Sequence, residues 1–139
     1  MPTEWPPSLP PAFYQGLEEL NRGDYYGCHE TLEALWLSER RPVRELYQGV
    51  IQIAVGCYHL TARANWVGAT RKLDEGARRL ERADPEPGAY GVDWAGLAAQ
   101  AVRLRDHLRA LGPAEVASCD RDLLPRALFQ PEGSRRGTS

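Results

Sequence analysis

Asp24-Tyr25-Tyr26-Gly27-Cys28-His29-Glu30-Thr31-Leu32-Glu33-Ala34-Leu35-Trp36 is the stretch on which the reading of the fold turns. Tyr25, Cys28, Leu32, Leu35 and Trp36 recur at the spacing of one face of an α-helix. Asp24 is well suited to cap its start. The same winding places His29 and Glu33 four residues apart on the flank of the apolar stripe, with Trp36 a turn further on and Glu30 nearer solvent. Helical neighbours at that separation lie about 5–6 Å apart between Cβ atoms, close enough for an imidazole and a carboxylate to share one proton or one metal ion.

Upstream, residues 1–10 carry four prolines and are expected to be extended. Pro11 opens a first helix with Phe13, Leu17 and Leu20 on one side, and Gly23 stops it by accepting the left-handed conformation. Downstream, Pro42 separates the second helix from a third, from about Arg44 to Arg63. Leu46, Val50, Ile51, Ile53, Ala54, Val55, Cys57 and Leu60 make this helix apolar on most of its circumference, which predicts a central position. Gly49 and Gly56 each cost it roughly 1 kcal/mol relative to alanine, so a close approach by a neighbouring backbone or ring is expected there. Asn65 caps a fourth helix bearing Trp66, Ala69, Leu73, Ala77 and Leu80. Asp93 caps a fifth, with Trp94, Leu97, Ala101, Leu104 and Leu108 in register. A loop fills 84–91, and a helical turn is expected near 114–119. No stretch reads as a β-strand. The fold class is all-α, a single-domain bundle of about five helices joined by short loops, with the domain at 11–130 and a mobile tail at 131–139.

Composition narrows the function classes. The 139 residues suffice for one core without disulfides or a structural metal. A net charge of -2 gives no global pull toward nucleic acid or anionic lipid. Lys72 is the single lysine among 17 basic residues. Cys28, Cys57 and Cys119 are odd in number and form no Cys-x-x-Cys pair, which points to free thiols in a reducing cytoplasm. The N-terminus lacks the basic start and apolar run of a signal peptide. The apolar run at 50–60 is too short to span a bilayer.

Two groups of residues are candidates for a site. His29 and Glu33 present a nitrogen and a carboxylate on one face, as a metal-ligand pair, an acid–base pair, or simply a hydrogen-bonded contact orienting two helices. Gln48, Gln52 and His59 fall on one line of the third helix, between Glu45 and Arg63. They read either as a polar seam completing the His29–Glu33 site or as the solvent-facing strip of a buried helix. Tyr25, Tyr58 and Trp36 lie on the same two helices, as pocket wall or as core. The basic residues of the fourth helix, Arg71, Lys72, Arg78, Arg79 and Arg82, are interleaved with Asp74, Glu75 and Glu81. That mixture describes an ion-paired surface rather than a nucleic-acid site. Glu33 stands where a zinc protease of the His-Glu-x-x-His type would need its second histidine. No Gly-rich phosphate loop, Ser-His-Asp order or Cys-His nucleophile pattern is present.

Together, Asn21-Arg22-Gly23-Asp24-Tyr25, His29-Glu30-x-x-Glu33-x-x-Trp36, Tyr47-Gln48-Gly49-Val50-Ile51-Gln52, Tyr58-His59 and Asn65-x-x-Gly68-Ala69 resemble domain-of-unknown-function family 309, over roughly residues 13–82. Its hallmark is His-x-x-x-Glu-x-x-Trp/Tyr. The resemblance implies a compact helical bundle without an established activity, and a metal-binding role proposed for the hallmark His and Glu, here His29 and Glu33. Where that family often shows Gly-Asn before the fourth helix, this chain has Ala64-Asn65.

The leading expectation is a small cytoplasmic helical protein whose second and third helices enclose a polar pocket. His29 and Glu33 act there, supported by Trp36, Gln48, Gln52, His59, Tyr25 and Tyr58. A bound metal would be Zn, Mn or Fe by its mixed nitrogen and oxygen donors. The alternative is a non-catalytic interaction module, such as a homodimer, in which the same residues form a structural hydrogen-bond network. Under neither expectation is a membrane a partner, and charge balance speaks against nucleic acid.

Overall fold

A computed structural model describes residues 4–130. Five helices follow one another: α1 (Pro11–Asn21), α2 (Tyr25–Ser38), α3 (Arg44–Arg63), α4 (Trp66–Ala83) and α5 (Trp94–Leu111). Short 3-10 turns lie at Ala89–Gly91, Pro113–Ser118 and Arg121–Leu123. No strand is present among the described residues, where a single antiparallel bridge joins Val92 to Phe129. The all-α expectation is thereby met. The tail expected at 131–139 lies outside the described residues, as do residues 1–3.

Caps explain where the helices begin. Asp24, Asn65 and Asp93 each accept the backbone N–H three residues on, from Gly27 at 3.0 Å, Gly68 at 2.9 Å and Gly96 at 2.9 Å. All three recipients are glycines, and a Cβ there would crowd the capping side chain. Gly23, at φ +82°, terminates α1 in the left-handed conformation. Between α2 and α3, Glu39 grips both the backbone and the side chain of Arg41 at 3.0 and 2.8 Å, ordering the approach to Pro42.

Each helix packs on the next along the chain, and the tightest pair is α3 with α4. The cause is a set of three glycines. A Cβ on Gly49 would collide with Leu80, one on Gly56 would press on Leu73 and the Ala69 carbonyl, and one on Gly76 would stand 2.8 Å from the Gly49 carbonyl. The two backbones therefore approach closely enough for Ile53, Leu73 and Leu80 to interlock, each at most 2% exposed. Gly49 and Gly56 thus serve the close approach read from the sequence, and Gly76 is their counterpart on α4. Phe13 of α1 meets Tyr47 of α3 and Trp94 of α5 at ring-centre distances of 5.8 and 5.9 Å, joining the ends of the helix series. Trp66 ties α4 to α5 by donating its indole N–H to the Leu108 carbonyl at 2.6 Å.

The segment after α5 folds back over the bundle. His107 Nε2 accepts the Asp120 N–H at 3.1 Å, so this histidine holds the return segment. Asn21 closes the return with both ends of its amide, donating to the Ala127 carbonyl at 2.8 Å and accepting the Ala127 N–H at 2.7 Å. No described helix is long and apolar enough to cross a membrane.

Two glycine-related substitutions are expected to move stability in opposite directions. Gly76→Ala gains about 1 kcal/mol of helix propensity but drives a methyl into the α3 backbone, for a net loss of roughly 1–3 kcal/mol. Ala64 occupies the left-handed C-cap of α3 (φ 48°, ψ 38°), so Ala64→Gly should stabilise the protein by about 1 kcal/mol. Denaturant midpoints of the two variants check both signs.

Candidate functional site

On α2, His29 Nε2 lies 3.7 Å from Glu33 Oε2, with side chains 31% and 49% exposed. That gap exceeds a direct hydrogen bond. The two groups are therefore held side by side and open, with room for a third atom to bond to both. Tyr26 packs edge-on to His29 with ring centres 6.3 Å apart, and it meets Tyr58 of α3 at 6.2 Å. Tyr26 is 57% exposed, so the aromatic bridge between the two helices is also a surface. Glu30 raises the Tyr26 phenol pKa by its charge and by a hydrogen bond.

Two arginines extend this face. The Arg44 guanidinium stacks over the Trp36 ring, 4.4 Å from its centre. Arg44 Nε is buried without a hydrogen-bond acceptor, and the indole face supplies the compensating contact. Arg63 lies 5.8 Å from the Tyr58 ring centre. His29 and Glu33 thus lie beside Tyr26, which reaches Tyr58 of α3, and Trp36 of α2 meets Arg44 of α3 in a separate contact between the same two helices. Gln48 is half-buried on α3.

Other expected members of the site find their contacts elsewhere. Gln52 turns to α4, accepting from Arg79 Nε at 3.0 Å and donating to Glu75 at 3.4 Å. Arg79 also binds Glu45 at 2.7 Å, and Lys72 binds Glu75 at 3.1 Å. The His59 ring lies against Gly68 at the start of α4, where a Cβ would stand 2.8 Å from it. Gln52 and His59 of that line therefore face α4. Tyr25 is core, 6% exposed, with its phenol pKa raised first by burial and then by Cys57 beside it. The basic residues of α4 are largely ion-paired, as the sequence suggested: Asp74 takes Arg78 at 2.9 Å and also Arg105 of α5. Periodicity assigns residues to faces, but two helices border each polar line and spacing alone does not say which one receives it.

Cys28, Cys57 and Cys119 are free and buried. Burial pushes the Cys57 thiol up to about 12, the opposite of what a nucleophile needs. No three His, Cys, Asp or Glu side chains are grouped to hold a metal among the described residues. His29 and Glu33 thus stand as two donors, with no further protein ligand grouped beside them.

Fold and site together define a small helical bundle with an open aromatic–polar face on its second and third helices. Residues 13–72 match the model of a family described as a domain of unknown function (DUF309). The resemblance read from the motifs is thereby shown over α1, α2, α3 and the first part of α4. The chain is also 38% identical over 74 residues to "Uncharacterized protein YpuF" of Bacillus subtilis (strain 168). That match takes in 52% of this chain and 42% of the relative, so the chain spans less than half of the relative's length. No solved structure matches.

The pH dependence of stability is expected to carry the signature of His59. Burial, reinforced by Arg63 and Lys72, holds its imidazole below the ordinary 6.5. The unfolded chain then binds this proton before the folded one does, so stability falls as pH drops below about 6.5. Melting temperatures recorded from neutral pH into that range should decline less steeply for His59→Gln than for the wild type.

Proposed function

We propose that the protein is a binding module that works through the open face of α2 and α3. The His29–Glu33 pair would receive a ligand's polar group, and Tyr26, Tyr58 and Trp36 its apolar body. The supporting observation is the 3.7 Å separation between an imidazole nitrogen and a carboxylate oxygen, both solvent-accessible and neither closed on the other. A hydroxyl, amide or amine lodged between them hydrogen-bonds to both groups, and the exposed rings give stacking area at little cost in side-chain entropy. The arginines over Trp36 and Tyr58 stiffen those rings. The pair is also suited to proton transfer, since a bound hydroxyl would touch two groups able to carry a proton. A structural hydrogen-bond network explains this face less well, because such a network would be buried and mutually satisfied. The three free thiols support the cytoplasmic setting expected from the sequence.

Protein-observed NMR with a library of heteroaromatic amides and alcohols tests this reading. Hits should shift the His29, Tyr26 and Tyr58 ring signals, and His29→Ala or Glu33→Gln should weaken them about tenfold, as loss of one charge-assisted hydrogen bond predicts. Hits that map to other surfaces, or that survive both substitutions, would overturn it.

A second reading rests on the same separation: a divalent ion, Zn, Mn or Fe, bound by His29 and Glu33 with its other positions filled by water or ligand. Metal analysis of protein purified without an affinity tag, with zinc calorimetry on wild type and His29→Ala, tests it. Binding that disappears in the variant supports the ion, and equal heats from both proteins exclude it.

A further inference from the structure

A hollow of about 580 Å³ lies between Trp5 and the loop that follows α4. Its volume falls in the range of small-molecule sites. The Trp5 and Tyr90 rings stand nearly parallel, 13° between planes and 6.4 Å between centres, as one aromatic wall. Asp84 and Glu86 supply its ionisable lining, and no Lys or Arg lines it among the described residues. An adjoining hollow of about 380 Å³ shares Asp84 and adds Glu81 and Asp93, again without a basic residue.

The wall is built rather than incidental. Tyr90 is held at φ 59°, a left-handed conformation that a residue with a side chain rarely adopts. Its hydroxyl donates to the Pro6 carbonyl at 2.7 Å, and its own carbonyl accepts the Tyr14 hydroxyl at 2.8 Å. Pro85 and Pro87 fix two φ angles of the loop, so little order remains to be gained on binding. Asp84 and Glu86 take part in no ion pair of the described residues. Both are exposed carboxylates, and they line an open hollow with electron-rich ring faces beside them.

We propose that this hollow is a binding site for a small organic ammonium ion, held by the Trp5 and Tyr90 ring faces and by the Asp84 and Glu86 carboxylates. A ring quadrupole attracts a diffuse, weakly hydrated cation, and the carboxylates neutralise its charge. Both ionisable carboxylates of the lining are acidic, which disfavours an anion here. The ammonium has two sources, a free quaternary amine or a lysine side chain of a peptide.

Calorimetric titration of the full chain separates them, with choline chloride in one arm and the blocked tripeptide acetyl-Gly-Lys-Gly-amide in the other, against sodium chloride as control. Tighter binding of choline assigns the site to free amines, and tighter binding of the tripeptide assigns it to side-chain cations. Trp5→Ala should weaken the better probe about tenfold and Glu86→Gln about threefold, whereas Trp5→Phe retains a ring and most of the affinity. His29→Ala should leave both titrations unchanged, which keeps this site distinct from the α2–α3 face. Heats no larger than those of sodium chloride for both probes, or undiminished affinity in Trp5→Ala and Glu86→Gln, would overturn the proposal.

Discussion

The close approach of α3 and α4 at Gly49, Gly56 and Gly76 is the constraint from which the rest of the arrangement follows. Three missing side chains let two backbones sit near contact, and Ile53, Leu73 and Leu80 fill the space beside them. Once α4 lies against that side of α3, the polar residues along the border have neighbours within reach. Glu45, Gln52, Arg79, Glu75 and Lys72 form a chain of hydrogen bonds and ion pairs down the seam. Such pairs, partly exposed, add little stability individually. What they do is satisfy Glu45 and Gln52 on a helix that is otherwise mostly apolar.

That arrangement settles the character of the other border of α3. With Gln52 engaged by α4, α3 meets α2 through aromatic side chains, Tyr26 against Tyr58. His29 and Glu33 are left at the rim, where they close neither on each other nor on α3. Their openness is a by-product of where α4 packs.

Helix positions, the three acidic or amide caps and the central place of α3 were legible because each rests on local chemistry. A cap needs one side chain at a fixed offset, and a buried helix announces itself by an unbroken apolar circumference. The identity of the α3 glycines as contact points was legible for the same reason, since an interior glycine has no local justification. The partners of Gln52 and His59 were not legible. They sit on a line bordered by two helices, and the deciding glycine, Gly76, lies on α4 amid charged residues that draw attention to its surface. Spacing left Tyr25 open to a pocket wall or the core, and packing against Cys57 assigns it to the core. The hollow at Trp5 joins residues about eighty positions apart, through a backbone conformation at Tyr90 that no pattern in its neighbours signals.

The Asn21 amide that clasps Ala127 has a consequence for how the chain reaches this structure. The helices pair in succession along the sequence, so most of the bundle assembles from contacts that are near in the chain and quick to find. The clasp spans 106 residues and pays the entropy of closing that loop unless the intervening helices have already docked. It therefore belongs to the last stage of folding, a latch that engages after the bundle is built. Its loss would be felt first as faster opening of the C-terminal return and only afterwards as a slower approach to the folded state.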